Sequence, residues 1–304
     1  MPVNLTIPIP MTKINMKTAI IDIGSNSVRK QVFSGGKILL RQTITTQLAK
    51  DVENKKLANK SINRTFEGLD ELILGEKNSN ASFFAFATAC VRNALNGKDF
   101  ANEFFKRYGF NLEIISGEQE AEFGILGALS GDDGSVIDVG GGSTEIATAR
   151  EGKIIYAHSM QEGAVTLTDR FKKDFNATNE YLAVKFEEFA DIKCDNPLYA
   201  IGGTANTLAF IGTGLSEYDA EKSEGYKLTV SELKQRVLTF YELSGEQIAQ
   251  RFNIDQKRAR VIHAGANLLL HALMKCNAKE VILTENDNLR GYYLKKIEGK
   301  SYAK

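Results

Sequence analysis

Three short apolar runs end in glycine-rich turns: AIIDIGSNS (19–27), VIDVGGGS (136–143) and PLYAIGG (197–203). Runs of this length bounded by glycine read as buried strands, since helices need ten or more residues. Further strands are expected at SFFAFA (82–87), LEIIS (112–116) and EVILT (280–284). Helical patterns fill most of the space between them, at 61–74, 98–108, 118–129, 164–172, 178–192, from Thr204 onward, and at 229–242, 244–252, 255–276 and 287–297. Strands alternating with helices predict α/β architecture with mixed sheets.

An internal repeat refines this. Residues 20–39 (IIDIGSNSVRKQVFSGGKIL) align with residues 136–155 (VIDVGGGSTEIATAREGKII) at an offset of 116. Identities fall at Ile21/Ile137, Asp22/Asp138, Gly24/Gly140, Ser27/Ser143, Gly36/Gly152, Lys37/Lys153 and Ile38/Ile154. Each copy reads as a strand ending in Asp, a tight Gly/Ser turn, a second strand, a Gly-Lys turn and a third strand. Solenoid repeats recur every ~20–50 residues, so so wide a spacing signals two similar domains in tandem. The expected layout is an N-terminal arm at 1–15, a first domain at 16–128 completed by the C-terminal helix 287–304, and a second domain at 129–286. Met16, just before the first strand, is a candidate start. A ligand cleft is expected between the domains.

Composition narrows the classes of partner. The 304 residues carry 38 Lys+Arg and 38 Asp+Glu, for a formal net charge of zero. That argues against a nucleic-acid-binding face, so an anionic small molecule must be attracted by local positive groups and backbone amides. No apolar run reaches the ~18 residues of a membrane span. Cys90, Cys194 and Cys276 are far apart in sequence and form no CxxC, which predicts free thiols, a reducing cytoplasmic setting and no zinc site. His158, His263 and His271 lack ligand spacing and read as structural.

The turns carry the candidate chemistry. Glycine and small hydroxyl residues let backbone amides approach a phosphate closely. Asp22 and Asp138, at the ends of their strands, suit a hard cation. The third turn, IGGTAN (201–206), opens a helix whose N-terminus favours anions. Ser116 with Gln119 reads as a capping box, so a helix begins there and puts Glu118 and Glu120 in its first turn. Either could be a catalytic carboxylate or merely a helix stabiliser. Arg92 suits bidentate phosphate recognition. Arg29 reads as readily as a solvated arginine.

In order and spacing, IDIGSNSVR (21–29), ATACVRNA (87–94), ISGEQEA (115–121), DVGGGSTE (138–145), GAVTLTDRF (163–171) and IGGTANTL (201–208) resemble the motif set of the exopolyphosphatase/guanosine pentaphosphate phosphatase (Ppx/GppA) family. A weaker match at GYKLTVSEL (225–233), RARVIHAGA (258–266) and NLR (288–290) extends it almost to the end. The resemblance implies two actin-like (ribonuclease H-like) domains and hydrolysis of polyphosphate or pppGpp with Mg²⁺ or another divalent cation, with a homodimer as a candidate state. It makes Glu120 the catalytic carboxylate. Arg92, Ser25, Asn26, Ser27, Gly140, Gly141, Gly142, Ser143, Gly203 and Thr204 would bind phosphate. Asp22, Asp138 and Glu145 would hold the metal. Departures include Gln47, Glu162, Thr166 and Glu224. A small-molecule kinase on the same fold and a non-catalytic polyphosphate or alarmone sensor are the competing expectations.

Overall fold

The structure is a computed structural model that describes residues 17–74, 81–189, 192 and 194–303; the expected N-terminal arm and Met16 lie outside them. The first sheet has β1 (Lys17–Ile23), β2 (Ser27–Ser34), β3 (Lys37–Thr45), β4 (Ala81–Ala87) and β5 (Leu112–Ile114) in the order β3-β2-β1-β4-β5. Around it lie α1 (Asn59–Leu74), α2 (Ala89–Arg92), α3 (Gly97–Tyr108) and α4 (Gly117–Leu129). The second sheet has β6 (Gly134–Val139), β7 (Thr144–Arg150), β8 (Lys153–Met160), β9 (Leu198–Ile201), β10 (Tyr226–Thr229) and β11 (Glu280–Leu283), in the order β10-β11-β9-β6-β7-β8. Its helices are α5 (Ala164–Phe171), α6 (Phe175–Lys185), α7 (Gly202–Thr213), α8 (Ala220–Ser223), α9 (Val230–Glu242), α10 (Gly245–Phe252), α11 (Gln256–Ala259) and α12 (Ile262–Lys275). The last helix is α13 (Asn288–Lys296).

The repeat holds in three dimensions. In both sheets an antiparallel meander continues into a parallel strand, β1 against β4 and β6 against β9. Even the irregularity recurs: the register shifts between Val32 and Phe33 and again between Thr148 and Ala149, at the same offset of 116. A bulge at equivalent places bends both meanders alike. This is a two-domain actin-like fold.

Between the sheets lie α4 and α13. A helix apolar on every side must be buried. In α4, Ala121, Phe123, Ile125, Leu126 and Leu129 are all buried, in one core with Phe33 and Phe86 of the first sheet, Val136 and Ala147 of the second, and Tyr292 of α13. Glycine lets the two helices touch: a Cβ on Gly127 would lie 2.0 Å from Asp287 O, and one on Gly291 would lie 1.8 Å from Phe123 O. The crossing sets the N-terminus of α13 against the later turns of α4, where Gly124 meets Asn288 and Gly127 meets Asp287.

Several expectations need correction. The helix expected at 178–192 is α6, which ends at Lys185 and passes into one 3₁₀ turn. The single helix expected at 255–276 is split into α11 and α12 at Arg260–Val261, and α7 begins at Gly202, two residues before Thr204. The three cysteines are not all free: Cys194 and Cys276 form a disulfide, with Cα atoms 5.3 Å apart. The lead-in to β9 and the end of α12 meet across 82 residues of sequence, which spacing alone does not reveal, and the cysteine argument for a reducing compartment falls with it. Among the described residues, no helix is long and apolar enough to cross a membrane.

Candidate active site

The two Asp-Gly turns face each other. In each, the first glycine amide closes the turn onto a serine carbonyl: Gly24 N donates to Ser27 O and Gly140 N to Ser143 O, both at 3.0 Å. The turn carbonyls are drawn backward by the segment after the third strand. Ala49 N donates to Ser25 O (2.9 Å), and its repeat equivalent Val165 N donates to Gly141 O (2.8 Å). A Cβ on Gly141 would lie 2.7 Å from Ser25 Cβ, and one on Gly142 2.8 Å from Ser25 Oγ. The loops are therefore in contact, and the missing side chains of the triglycine run make that contact sterically possible.

A cavity of about 80 Å³ lies between them. It is lined by Asp22, Ser25, Asn26, Ser27, Glu120, Asp138, Gly140, Gly141, Gly142, Ser143, Gly203 and Thr204, all singled out from sequence. Arg92 and Glu145 stand behind the lining. Arg92 Nη1 donates to Glu120 Oε2 at 3.0 Å and to Ile115 O at 2.9 Å. Glu145 pairs with Asp138 across β6 and β7, and its Oε1 accepts from Ser159 Oγ at 2.7 Å. Two wider spaces adjoin the cavity. One, of about 580 Å³, shares Arg29, Gly203 and Arg258 with it. The other, of about 1100 Å³, shares Ser25, Ala89 and Gly142.

Each carboxylate has a local reason for its place. The capping box is formed: Ser116 Oγ accepts from Gln119 N (3.2 Å) while Gln119 Oε1 accepts from Ser116 N (2.9 Å). This fixes the start of α4 and turns Glu120, 6% exposed, inward, whereas Glu118 remains exposed. Asp138 Oδ2 accepts from Asn288 Nδ2 at 2.7 Å. Gly202, with φ +84°, approaches so closely that a Cβ would lie 2.5 Å from Asp138 Oδ1. That left-handed conformation and that contact both require glycine.

Four site residues escaped the sequence reading. Arg29, expected to be solvated at least as readily as bound, is tied to Asp22 and Asp287. Asp287 also caps α13 through Leu289 N at 3.0 Å, and Asn288 reaches Asp138. Arg258 lies on the start of α7, where a Cβ on Gly203 would be 2.1 Å from its Nη1. Asp287, just ahead of the NLR motif, was the available signal for a helix cap.

Burial is the main influence on the acids. It pushes Glu120 up to about 7, against the pull of Arg92, and Asp138 up to about 6, against Arg29. Glu145 is driven well above its ordinary range by burial and then by Glu120, and Asp22 is raised by burial despite Arg29. The sign for stability follows. The folded state holds the Glu120 proton up to about pH 7, whereas the unfolded chain releases it near 4.5. Charging Glu120 thus erodes stability as pH rises through that window. Glu120→Gln is expected to stabilise the metal-free protein by ~1–3 kcal/mol at pH 8 and by little at pH 5. Thermal melts of both proteins across that range check it; a pH-independent difference would refute it.

In an alignment 322 positions long the chain is 29% identical to a bifunctional 3-dehydroquinate synthase/phosphatase of Fusobacterium nucleatum; the match covers 95% of this chain and 48% of that protein. The chain thus spans about half the length of that curated relative. Among solved structures, a Ppx/GppA family member from Aquifex aeolicus superposes with a TM-score of 0.77 at 27% identity, covering 95% of this chain and 99% of the other. An exopolyphosphatase from Cytophaga hutchinsonii shares the fold, with a TM-score of 0.82 at 18% identity over 93% of this chain and 98% of its own. The profile of the Ppx/GppA phosphatase family matches residues 27–291, a span that begins at the last residue of the first facing turn and takes in the second, Glu120 and the start of α13, and the chain belongs to that family of phosphatases.

Proposed function

We propose that the protein releases terminal orthophosphate from a phosphoanhydride chain, either inorganic polyphosphate or the 5′ end of pppGpp, by in-line attack of a water aligned by Glu120. The observation that carries this is the buried Glu120 carboxylate at the wall of a small chamber made by two facing Gly/Ser turns. A water's share of liquid is ~30 Å³, so the chamber suits one phosphoryl group and little more. Phosphoryl transfer depends chiefly on positioning and on neutralising charge, which turn amides, the α7 N-terminus, Arg29 and Arg258 can supply. With Arg92 paired beside it, Glu120 can orient a water and take its proton.

Asp138 and Glu145 are the residues that would hold a divalent cation, with Asp22 contributing from the opposite turn. The donors fit Mg²⁺. Asp22 Oδ1 and Glu145 Oε2 are buried and make no hydrogen bond among the described residues. Among those residues no three acidic, histidine or cysteine side chains form a metal cage of their own. Mg²⁺ characteristically takes one or two carboxylates and completes its shell with water and substrate phosphate. When bound, it would neutralise charge on the phosphate oxygens.

The test is orthophosphate release from long-chain polyphosphate and from pppGpp, with Mg²⁺ and with chelator. Release that depends on the cation is expected. Binding without release would replace the hydrolase by a sensor, and ATP-dependent transfer to an acceptor would replace it by a kinase.

A further inference from the structure

We propose that Glu162 is a positioning residue for the loop Gly140–Ser143, which it holds through the first turn of α5. This rests on the phosphohydrolase reading of the cleft. Glu162 is 0% exposed and is not among the residues lining the chamber. Every partner of its carboxylate is a donor. Thr166 Oγ1 donates to Oε1, Tyr181 OH donates to Oε2 at 2.7 Å, and Arg170 Nη2 lies 3.3 Å from Oε2. Three donors converging on one carboxylate call for the anion, because an amide or a protonated acid would set donor against donor. A buried anion is tolerated when so paired.

What these bonds secure is the turn that backs the loop. Thr166 gives its proton to Glu162, and its oxygen accepts from Gly163 N at 2.9 Å. Ala164 N donates to Gly140 O (2.9 Å), and Val165 N and Thr166 N donate to Gly141 O (2.8 and 3.2 Å). Gly163 lies flush on the loop: a Cβ there would be 2.4 Å from Gly141 C and 2.5 Å from Gly142 N. With the Gly140 and Gly141 carbonyls given to α5 and Gly140 N to Ser143 O, the amides of Gly141, Gly142 and Ser143 are the ones left to meet a phosphate. The other half of the molecule offers a comparison. The repeat equivalent of Glu162 is Thr46, whose Oγ1 is buried without a hydrogen bond among the described residues. The carboxylate anchor thus belongs to the triglycine loop alone.

The experiment compares Glu162→Gln, Thr166→Val, the double variant and Tyr181→Phe, which loses a bond to Glu162 but touches no part of the loop. Displacing preorganised donors by fractions of an ångström predicts a fall in kcat of ~10–100-fold, with KM rising less. The double variant should be no worse than the poorer single, since both act through one contact. Tyr181→Phe should lower Tm and keep kcat. Binding of inorganic phosphate, measured by calorimetry, needs no turnover and should weaken several-fold in Glu162→Gln. If Glu162→Gln is too unstable to assay, Thr166→Val carries the test. Wild-type kcat and phosphate affinity in a folded variant, or losses that track Tm equally in Tyr181→Phe, overturn the proposal. A wild-type protein that binds phosphate but hydrolyses nothing would defeat the phosphohydrolase reading instead, and the affinities would still decide the role of Glu162.

Discussion

Glu120→Gln should reduce turnover by ~10²–10⁴, the usual worth of a general base, or about 3–5 kcal/mol of barrier. KM should change only a few-fold. Glutamine keeps the size of the side chain and an oxygen for Arg92 Nη1, so the capped helix, the ion-pair geometry and the chamber wall persist. What goes is basicity. Burial places Glu120 at about 7, where an acid–base group works best near neutral pH. In the wild type, kcat/KM should therefore rise with pH below about 7 and level off above it, because only the carboxylate can accept the water's proton; the variant should lack that limb. Glu118 is the internal control. Its carboxyl is held below the usual range by Ser116, and its neighbourhood is the solvent side of the same helix turn. Glu118→Gln should leave turnover within about threefold of the wild type, as befits an exposed substitution. Normal turnover by Glu120→Gln, or a large loss from Glu118→Gln, would move the base elsewhere.

Which of these residues the sequence disclosed follows from the range of the forces that place them. The Asp-Gly turns and the capping box are built within a few residues, and local chemistry announces them. The repeat made the pairing of turns legible too, since two copies of one hairpin imply two matching walls. Arg29 is different. Its second partner, Asp287, is 258 residues away, and nothing near Arg29 indicates that the N-terminus of α13 will arrive there. The same holds for Arg258 against Gly203 and for Cys194 with Cys276. The break between α11 and α12 was missed because Val261 and Ile262 continue the apolar pattern. In the fold Val261 turns to pack with Ala164 and Val165 beside the cleft.

The repeat also distributes charge unequally, and the second large effect follows from that. Opposite Asp22 in the first meander stands Arg29; opposite Asp138, at the equivalent place in the second, stands Glu145. The first half therefore carries its own counter-cation, while the second half is left acidic and suited to an added one. Burial alone would lower the Arg29 pKa, but Asp287 and Asp22 outweigh it and hold the guanidinium charged. Arg29→Ala would strand both acids, whose side chains are 5% and 4% exposed, without their partner. Breaking a buried pair from one side costs about 3 kcal/mol or more, so urea unfolding at pH 7 should show a deficit of that size. Asp287→Asn keeps the α13 cap, since asparagine caps as well as aspartate. Combined with Arg29→Ala, it removes one stranded charge and should recover part of the loss. The deficit should also shrink as pH falls towards 4, because protonation relieves the stranded Asp22, whose pKa burial already raises, of the charge that makes it costly. A deficit below about 1 kcal/mol, the range of exposed ion pairs, would mean that Arg29 is a solvated residue and that the two halves of the site are not divided in this way.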